Sequence, residues 1–291
     1  AKAECLQVTG SFKFRGGVNW LASLDAKTLK RGVVAYSSGN HAQGVAAAAA
    51  RFGASATLVM PSDAPSFKQQ ATRAWGARVV TYDRVRESRE AIGEAIAAET
   101  GATLIPPFDH ALTIAGQGTC GLEIQEQATE AGIVIDQMIV CCSGGGLAAG
   151  LGLAFSEHPP KAGLWTAEPA GFDDMKRSLA SGKPERNARA EGSICDALLA
   201  PQPGTIPFAI NRVLYQDGYA VTDDEALAAM RVAFESFRVV VEPGGAVALA
   251  AALFQPRPNN ADVVCVTLSG GNVDEAMFTR ALKTAVPPFG P

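Results

Sequence analysis

Residues 137–150 read QMIVCCSGGGLAAG, and this stretch decides the fold class. Its first six residues, 137–142, form a mostly apolar run of the length that a fully buried strand takes. The turn SGGG follows, and the Ala- and Leu-rich residues 145–156 predict a helix directly after it. A buried strand that passes through a tight glycine turn into a helix is half of a βαβ unit, the building block of α/β folds.

The same alternation of strand and helix continues on both sides of this stretch. Short β-branched or apolar runs predict further strands at residues 32–36, 56–60, 77–82, 102–105, 163–167 and 263–268. Ala-rich or amphipathic stretches predict further helices at residues 41–52, 66–75, 84–100, 118–131, 223–237, 244–254 and 274–284. Because βαβ connections place helices on both faces of a parallel sheet, we predict an α/β protein with open, twisted, mostly parallel sheets flanked by helices.

The order of the elements also predicts a domain organisation. Residues 32–107 hold consecutive cycles of strand and helix, and the segment PPFDHALTIAGQG then interrupts them with a proline pair and glycines. We therefore predict a small domain, residues 32–107, inserted into a large domain formed by residues 1–31 and 108–291, each with a sheet of its own. Residues 179–202 have the weakest periodicity and are predicted to be rich in loops.

Composition and charge exclude several classes of function. The chain has 291 residues, of which 47% are hydrophobic, and a net charge of -4, so it lacks the basic surface of a nucleic-acid binder. Apolar runs such as residues 45–50 are too short to span a bilayer, and the sequence shows no export signal. Six cysteines without a CxxC pair argue against zinc or disulfides. We predict a cytoplasmic protein that binds neither nucleic acid nor membranes.

The glycine turn SGGGLAAG, residues 143–150, has three open interpretations. Its small residues let backbone N–H groups approach an anion at the positive end of a helix dipole, which favours a phosphate site. Gly144, Gly146 and Ala149 also fit the pattern GxGxxA of dinucleotide-binding turns, with Glu168 about 20 residues further on as a ribose ligand. The third interpretation is structural: the small residues only allow a helix to pack closely on a strand. The turn alone does not separate a phosphate ester from a nicotinamide cofactor.

A second motif, TGSFKFRGG at residues 9–17, sets Lys13 between two phenylalanines at the start of a predicted helix, capped by Thr9 or Ser11. Most lysines are solvated surface residues. A lysine among aromatic side chains can instead be partly desolvated, which lowers the pKa of its amine and frees the amine to form an imine. A nicotinamide-dependent dehydrogenase would leave this lysine without a role.

Two further turns follow predicted strands. The turn SSGNHAQG, residues 37–44, brings two hydroxyls, an amide, an imidazole and loop N–H groups to the carboxyl end of a strand, where open α/β sheets bind ligands. Helix capping by Ser37 or Ser38, with His41 on the surface, is the structural alternative. The turn LSGGN, residues 268–272, places a hydroxyl at another strand end.

Taken in order, the motifs KAECLQVTGSFKFRG, SSGNHAQGVA, SGGGLAAG, VEPGGA and LSGGNVD resemble the fold type II family of pyridoxal 5'-phosphate (PLP) enzymes. Within this tryptophan synthase β-like architecture, the motifs are most similar to the branch of serine/threonine dehydratases and serine racemases. The resemblance runs over essentially the whole chain and is weakest after Leu179. It implies PLP as the cofactor and a fold of two sheets.

The resemblance also implies roles for individual residues. Lys13 would form the imine with PLP and later act as acid and base, and Ser38 matches the second base of serine racemases. The residues implied to hold the cofactor are Phe12 on its ring, Asn40 at its 3-hydroxyl, Ser143, Gly144, Gly145, Gly146 and Leu147 at its phosphate, and Ser269 at its pyridine nitrogen. The residues implied to bind the substrate carboxylate are Ser37, Gly39, Asn40 and His41.

The segment EPAGFDD, residues 168–174, resembles the divalent-cation loop of the racemases. This implies that Glu168, the Phe172 carbonyl and Asp174 bind Mg or Ca, and a charged surface turn is the alternative. We also expect a homodimer or other homo-oligomer. Family members usually carry several dozen residues before the lysine motif, without which part of the active-site wall would be exposed. No regulatory ACT domain fits after Pro291, from which we expect no allosteric control by isoleucine.

The reaction implied by the resemblance is β-elimination from a small 3-hydroxy amino acid, with L-threonine or L-serine as the expected substrate and a 2-keto acid and ammonia as products. Serine racemase activity is an alternative, since racemisation needs bases on both faces of the cofactor. Dehydration of 3-hydroxyaspartate is another, whose second carboxylate needs a cation such as Arg15, Arg89 or His110. A nicotinamide-dependent dehydrogenase and a non-catalytic PLP-binding protein are the alternatives from different classes.

Overall fold

The computed structural model describes residues 1–37, 39–157, 162–258 and 261–290. The strands in these residues are β1 Val33–Tyr36, β2 Ala56–Pro61, β3 Arg78–Tyr82, β4 Thr103–Leu104, β5 Gln137–Cys141, β6 Gly163–Pro169, β7 Asp217–Val221 and β8 Val264–Val266. The α-helices are α1 Lys13–Ser23, α2 Ala26–Arg31, α3 Asn40–Phe52, α4 Ser66–Ala74, α5 Arg89–Thr100, α6 Ala111–Glu130, α7 Gly146–Glu157, α8 Asp174–Ser181, α9 Thr205–Leu214, α10 Asp223–Val232, α11 Pro243–Phe254 and α12 Glu275–Lys283.

The strands form two four-stranded sheets. The first has the order β3-β2-β1-β4 and the second β7-β6-β5-β8, and neighbouring strands are parallel in both. This confirms the prediction of an α/β fold with two open parallel sheets flanked by helices. The division into domains 32–107 and 1–31 with 108–291 stays a prediction, although the whole first sheet lies between Val33 and Leu104.

The second sheet is buried on both faces, as its apolar sequence predicts. Successive side chains of β5 point in opposite directions. Met138 and Val140 pack into a cluster that includes residues of α6, α7 and α9, whereas Ile139 and Cys141 pack into a cluster with α10, α11 and α12. Helices therefore cover both faces, and ligands reach this sheet at the carboxyl ends of its strands.

Several elements differ from the predictions. β7, DGYAV, was not predicted because it contains Asp and Gly, which are depleted in strands. α6 begins at Ala111 rather than at residue 118, because the His110 ring nitrogen Nδ1 accepts a hydrogen bond from the backbone N–H of Leu112 and caps the helix. The helix predicted over 223–237 changes to a π-helical turn at Ala233–Phe237.

Glycines let three helices approach one another closely at the start of α1. A Cβ atom on Gly44 of α3 would lie 2.8 Å from the Lys13 carbonyl carbon, and one on Gly17 of α1 would lie 2.8 Å from the Gly44 carbonyl oxygen. On the other side of α1, a Cβ atom on Gly116 of α6 would lie 2.7 Å from Gly16 Cα. Only glycine permits these contacts, and they hold Lys13, the first residue of α1, between the other two helices.

Candidate active site

One cleft collects the turns that follow β1, β5 and β8, together with the start of α1. It is a concave space that opens to solvent and is lined by both apolar and polar side chains, which is typical of a small-molecule site. Of the residues predicted to bind cofactor or substrate, those that the structure describes all line this cleft: Phe12, Lys13, Ser37, Gly39, Asn40, His41, Ser143, Gly144, Gly145, Gly146, Leu147 and Ser269. Ser38, the predicted second base, lies outside the described residues.

The Lys13 amine is buried in this cleft. Its Nζ donates a 2.7 Å hydrogen bond to the Pro107 carbonyl oxygen and lies 5.1 Å from the centre of the Phe12 ring. Burial lowers the pKa of Lys13 to about 8. At pH 7 about a tenth of the amine is then neutral, far more than for a solvated lysine, so the side chain is suited to nucleophilic attack on a carbonyl.

The predicted cap of α1 by Thr9 or Ser11 is wrong. The N-cap residue is Phe12, which makes no side-chain cap hydrogen bond. Backbone contacts fix this end of the helix instead, because the Phe12 N–H donates to the Ser269 carbonyl oxygen at 3.1 Å and Ser11 forms a bridge with Gly270. The start of α1 is thereby attached to the turn after β8, which the sequence places at the far end of the chain.

The glycine turn after β5 forms a concave wall of backbone. Gly145 has a φ of +90°, which disfavours any other residue, and a Cβ atom on Gly144 would lie 2.5 Å from the Phe108 ring. α7 begins at Gly146, and the first N–H groups of a helix have no partner within it. The turn therefore offers free N–H donors at the positive end of a helix dipole, as a phosphate site requires.

The turn after β1 presents a second helix N-terminus to the same cleft. α3 begins at Asn40, and the Ser37 hydroxyl accepts a 3.1 Å hydrogen bond from the Gly39 N–H. His41 is buried, with Nε2 3.0 Å from the Ile105 carbonyl oxygen. Burial, and secondarily the Lys13 charge, lower the pKa of His41 to about 3. The ring is neutral, Nε2 carries its proton, and Nδ1 is left as an acceptor without a partner among the described residues.

Three charged residues to which the sequence patterns assigned no role also line the cleft: Lys68, Asp196 and Glu242. Lys68 Nζ donates to Asp196 at 2.7 Å and lies 3.9 Å from Glu242 Oε2. Glu242 accepts a short hydrogen bond from the amide of Asn40. Glu242 belongs to the motif VEPGGA, in which a charged residue next to an apolar helix start could have indicated a functional residue. Nothing in the sequence around Lys68 distinguishes it from a surface lysine.

The three cations considered for a second substrate carboxylate lie in different surroundings. Arg15 is engaged by Glu4 and Glu123 at 2.6–2.8 Å and does not line the cleft. His110 caps α6 and packs on Trp20, with 4.4 Å between the ring centres. Arg89 alone of the three lines the cleft, where its guanidinium lies 5.4 Å from the centre of the Tyr36 ring.

The residues of the predicted cation site lie together away from the cleft. Both carboxylates are buried, and Glu168 accepts hydrogen bonds from the N–H groups of Met175 at 3.1 Å and Lys176 at 2.8 Å. Asp174 Oδ1 accepts from Asn187 at 2.6 Å, while its Oδ2 has no partner among the described residues. Burial raises the pKa of both carboxyl groups, that of Asp174 to about 7. Glu168 does not reach the cleft, so it is not a ribose ligand there.

In the described part of the chain, no helix has both the length and the apolarity needed to cross a membrane.

The sequence profile of the family described as "Pyridoxal-phosphate dependent enzyme" matches residues 1–270. An L-threo-3-hydroxyaspartate ammonia-lyase of Pseudomonas sp is 40% identical over 282 residues, which cover 97% of this chain and 87% of the relative. A serine racemase of Oryza sativa subsp. indica is 38% identical over 290 residues, which cover 97% of this chain and 83% of the relative.

Comparison with a solved structure agrees with these sequence matches. The crystal structure of a threonine deaminase from T.th. is 40% identical and superposes with a TM-score of 0.87, covering 94% of this chain and 87% of that one. The fold is therefore shared with a threonine deaminase, and the sequence is similar to a lyase of a hydroxy amino acid and to a serine racemase.

Proposed function

Because the chain belongs to the family of pyridoxal-phosphate dependent enzymes, we propose that it is an ammonia-lyase, which converts a small 3-hydroxy amino acid, L-threonine or L-serine, into a 2-keto acid and ammonia. One observation carries the proposal: a buried lysine amine of lowered pKa shares a cleft with two helix N-termini. One N-terminus would bind the phosphate of the cofactor, and the other would bind the carboxylate of the substrate. The nicotinamide-dependent dehydrogenase is set aside, since Glu168 lies away from the cleft.

The residues around the cleft fit PLP. The backbone wall at Gly144, Gly145 and Gly146, which a Cβ atom would fill, suits the phosphate, with Ser143 and Leu147 beside it. Lys13 would attach the cofactor covalently, Phe12 would pack on its ring, Asn40 would contact its 3-hydroxyl and Ser269 its pyridine nitrogen. When bound, PLP withdraws electrons from the Cα atom of the amino acid and thereby acidifies the Cα proton.

The Lys13 amine is the group that moves protons. Burial lowers the pKa of this amine to about 8, so with cofactor and substrate bound the free amine would be suited to accept the Cα proton. The resulting ammonium can return a proton to the departing β-hydroxyl, which leaves as water. The enamine that is released rearranges and is hydrolysed to the keto acid and ammonia.

The turn at the start of α3 is suited to hold the substrate carboxylate. Ser37 offers a hydroxyl, and Asn40 and His41 offer backbone N–H groups at the positive end of the helix, while the Gly39 N–H donates to the Ser37 hydroxyl and lies beside them. The His41 imidazole does not donate to this carboxylate, since Nε2 donates to Ile105 and Nδ1 is an acceptor. We therefore assign the contact of His41 to its backbone.

Ser269 supports elimination over other reactions of the same cofactor. It is a neutral hydroxyl, buried at the end of the strand region that includes β8. A hydroxyl partner leaves the pyridine nitrogen unprotonated, so the electron withdrawal at Cα is weaker than with a carboxylate partner. Loss of a β-hydroxyl that is protonated as it leaves is then favoured over reactions that need a long-lived carbanion.

A second candidate substrate is 3-hydroxyaspartate, and Arg89 favours it. The Arg89 Nε donates to Glu90 at 2.8 Å, while its two Nη nitrogens donate to no side chain or carbonyl in the described residues. An arginine that lines a ligand cleft and has Nη donors to spare is suited to a second carboxylate. The similarity to an L-threo-3-hydroxyaspartate ammonia-lyase also supports this candidate. Racemisation, which would use Ser38 as second base, is the remaining alternative.

We also propose that Glu168, the Phe172 carbonyl and Asp174 bind Mg or Ca. The unpartnered Oδ2 of Asp174 beside a second buried carboxylate fits a hard cation, which would remove the repulsion between the two charges. The ion would be structural, since these residues do not line the cleft. It would stabilise the start of α8, whose backbone N–H groups donate hydrogen bonds to Glu168.

The proposal is tested by incubating PLP-loaded protein with L-threonine, L-serine, D-serine and both diastereomers of 3-hydroxyaspartate, and measuring ammonia, keto acid and enantiomer ratio. Keto acid and ammonia in equal amounts from threonine or serine are expected. Turnover of 3-hydroxyaspartate alone would favour the second candidate, and interconversion of serine enantiomers without ammonia would favour the racemase. The absence of any product across the panel would contradict an enzymatic function of this class.

A further inference from the structure

A buried carboxylate next to the cleft has no role in the proposed reaction so far. Glu242 is 2% exposed and stands just before Pro243 at the start of α11. Its Oε1 accepts the hydrogen bond from Asn40 Nδ2, and its Oε2 has no hydrogen-bond partner among the described residues. Gly270 leaves room for it, since a Cβ atom there would overlap Oε1. An ionised carboxylate in such a place is costly unless something compensates it.

The Asn40 amide is fixed in one orientation by its neighbours. Asn272 Nδ2 donates to the Thr9 carbonyl oxygen at 2.9 Å and to Asn40 Oδ1 at 2.8 Å, which uses both of its hydrogens. Asn40 Oδ1 is therefore an acceptor, and its Nδ2 has two hydrogens to donate. One goes to Glu242, and the other remains for the cleft that Asn40 lines.

Lys68 supplies the compensating charge for Glu242. It reaches the cleft from α4, its side chain is 5% exposed, and its Nζ lies 3.9 Å from Glu242 Oε2 while donating to Asp196. Gly39 makes this approach possible, because a Cβ atom there would lie 2.7 Å from Lys68 Cδ. These contacts run from Lys68 of α4 through Glu242 to Asn40 of α3. They connect two helices that pack on the first sheet with the start of α11, which packs on the second sheet.

We propose that Glu242 is a positioning residue, whose ionised form Lys68 stabilises and which aims the second amide hydrogen of Asn40 at the 3-oxygen of the cofactor. This inference rests on the proposed function, in which Asn40 contacts that oxygen. A hydrogen bond to the ionised 3-oxygen stabilises the yellow, long-wavelength form of the bound cofactor, so the absorbance spectrum reports directly on the Asn40 amide.

The test uses the full chain with the variants Glu242→Gln, Glu242→Asp and Lys68→Met, and Glu235→Gln as a control. Glu235 is an exposed residue paired with Arg231, so its substitution leaves the cleft unchanged. In Glu242→Gln, the side-chain amide can turn its own NH2 toward Asn40, and the acceptor is lost. We expect the yellow band to fall in favour of a near-ultraviolet band, and the affinity of the apoprotein for PLP to drop by about tenfold, as for one charge-assisted hydrogen bond. Glu242→Asp should recover part of both.

Lys68→Met provides an independent test if Glu242→Gln does not fold. In the wild type, burial raises the pKa of Glu242 to about 7 against the lowering effect of Lys68, so without this cation Glu242 should keep its proton to a higher pH than in the wild type. At pH 7 the yellow band should then be weaker than in the wild type, and it should recover at a higher pH than the wild-type band does. The other titratable groups near Glu242 are Asp196 and Cys5. Burial raises the pKa of the Cys5 thiol to about 11, outside this range, and the double variant Lys68→Met/Asp196→Asn should keep the pH dependence, which assigns it to Glu242.

The outcomes separate the inference from the function on which it rests. If the wild-type protein takes up no PLP at Lys13, the proposed function fails. If the wild-type protein is yellow and folded Glu242→Gln or Lys68→Met keeps both its spectrum and its PLP affinity, Glu242 does not position Asn40, and only the inference is refuted. Melting curves of the apoproteins establish which variants are folded.

Discussion

Gly145 provides the sharpest test of the phosphate site, through the substitution Gly145→Ala. The residue has a φ of +90°, and an added Cβ would lie 2.6 Å from Met175 Cε and 2.9 Å from both Asn211 Nδ2 and Pro207 Cβ. The left-handed backbone conformation costs an L-residue about 1–2 kcal/mol. Crowding in a packed interior costs about 1–3 kcal/mol more. We expect the apoprotein to lose about 2–5 kcal/mol of its free energy of unfolding.

Gly182→Ala is the matched control, because it isolates the backbone contribution. Gly182 ends α8 with a φ of +74°, and a Cβ atom there would meet nothing within 4 Å. It should therefore lose only about 1–2 kcal/mol. Urea unfolding of the two apoproteins measures the difference, and titration with PLP measures the site. Gly145→Ala should also bind PLP at least tenfold more weakly, whereas Gly182→Ala should bind it normally. Equal stability and equal affinity in the two variants would refute the assignment.

Three further predictions concern charge. PLP uptake by the apoprotein should rise about tenfold per pH unit below pH 8 and level off above it, because only the neutral Lys13 amine attacks; a stopped-flow rate that is flat from pH 6 to 9 would contradict this. Magnesium should raise the melting temperature more at pH 8 than at pH 5. The raised pKa values of Glu168 and Asp174 keep both carboxyl groups protonated at low pH, and their ionisation destabilises the metal-free protein as the pH rises. Asp174→Asn should abolish the effect of magnesium. Arg89→Gln should impair turnover of 3-hydroxyaspartate at least tenfold and leave threonine turnover within about twofold, which steady-state kinetics would check.

The fold was predictable where the sequence pattern and the burial agree. Residues 138–141 of β5 alternate between two buried clusters, so the strand is apolar after Gln137, and the glycines that follow mark the turn without ambiguity. β7 was not predictable in this way, because Asp217 and Gly218 oppose strand formation locally. The strand exists through its register with β6, in which Gly218 pairs with Thr166, and a local pattern contains no information about such a partner.

The site was predictable where one turn carries several functional groups, and not where its charges are paired over long distances. Lys13, Asn40 and the glycines after β5 belong to compact motifs. Lys68 has a sequence context like that of any surface lysine, and its burial depends on Glu242 and Asp196 from distant segments. Arg15 shows the converse, since it was considered as a substrate ligand but is fully engaged by Glu4 and Glu123.

The charges of the cleft show which interactions must hold the anions. The ionisable side chains that line it in the described residues, apart from the neutral His41 and the raised-pKa thiols and phenol, are the cations Lys13, Lys68 and Arg89 and the anions Asp196 and Glu242. In the proposed reaction Lys13 is joined to the cofactor and Lys68 is matched by Glu242 and Asp196, so Arg89 is the cation that remains among the described side chains of the cleft. We therefore expect the phosphate and the substrate carboxylate to depend mainly on the backbone N–H groups at the starts of α7 and α3, which every substrate of this class would use equally. Discrimination between a hydroxy amino acid with one carboxylate and one with two is therefore left to side chains at the edge of the cleft, and Arg89 is the one that its position favours.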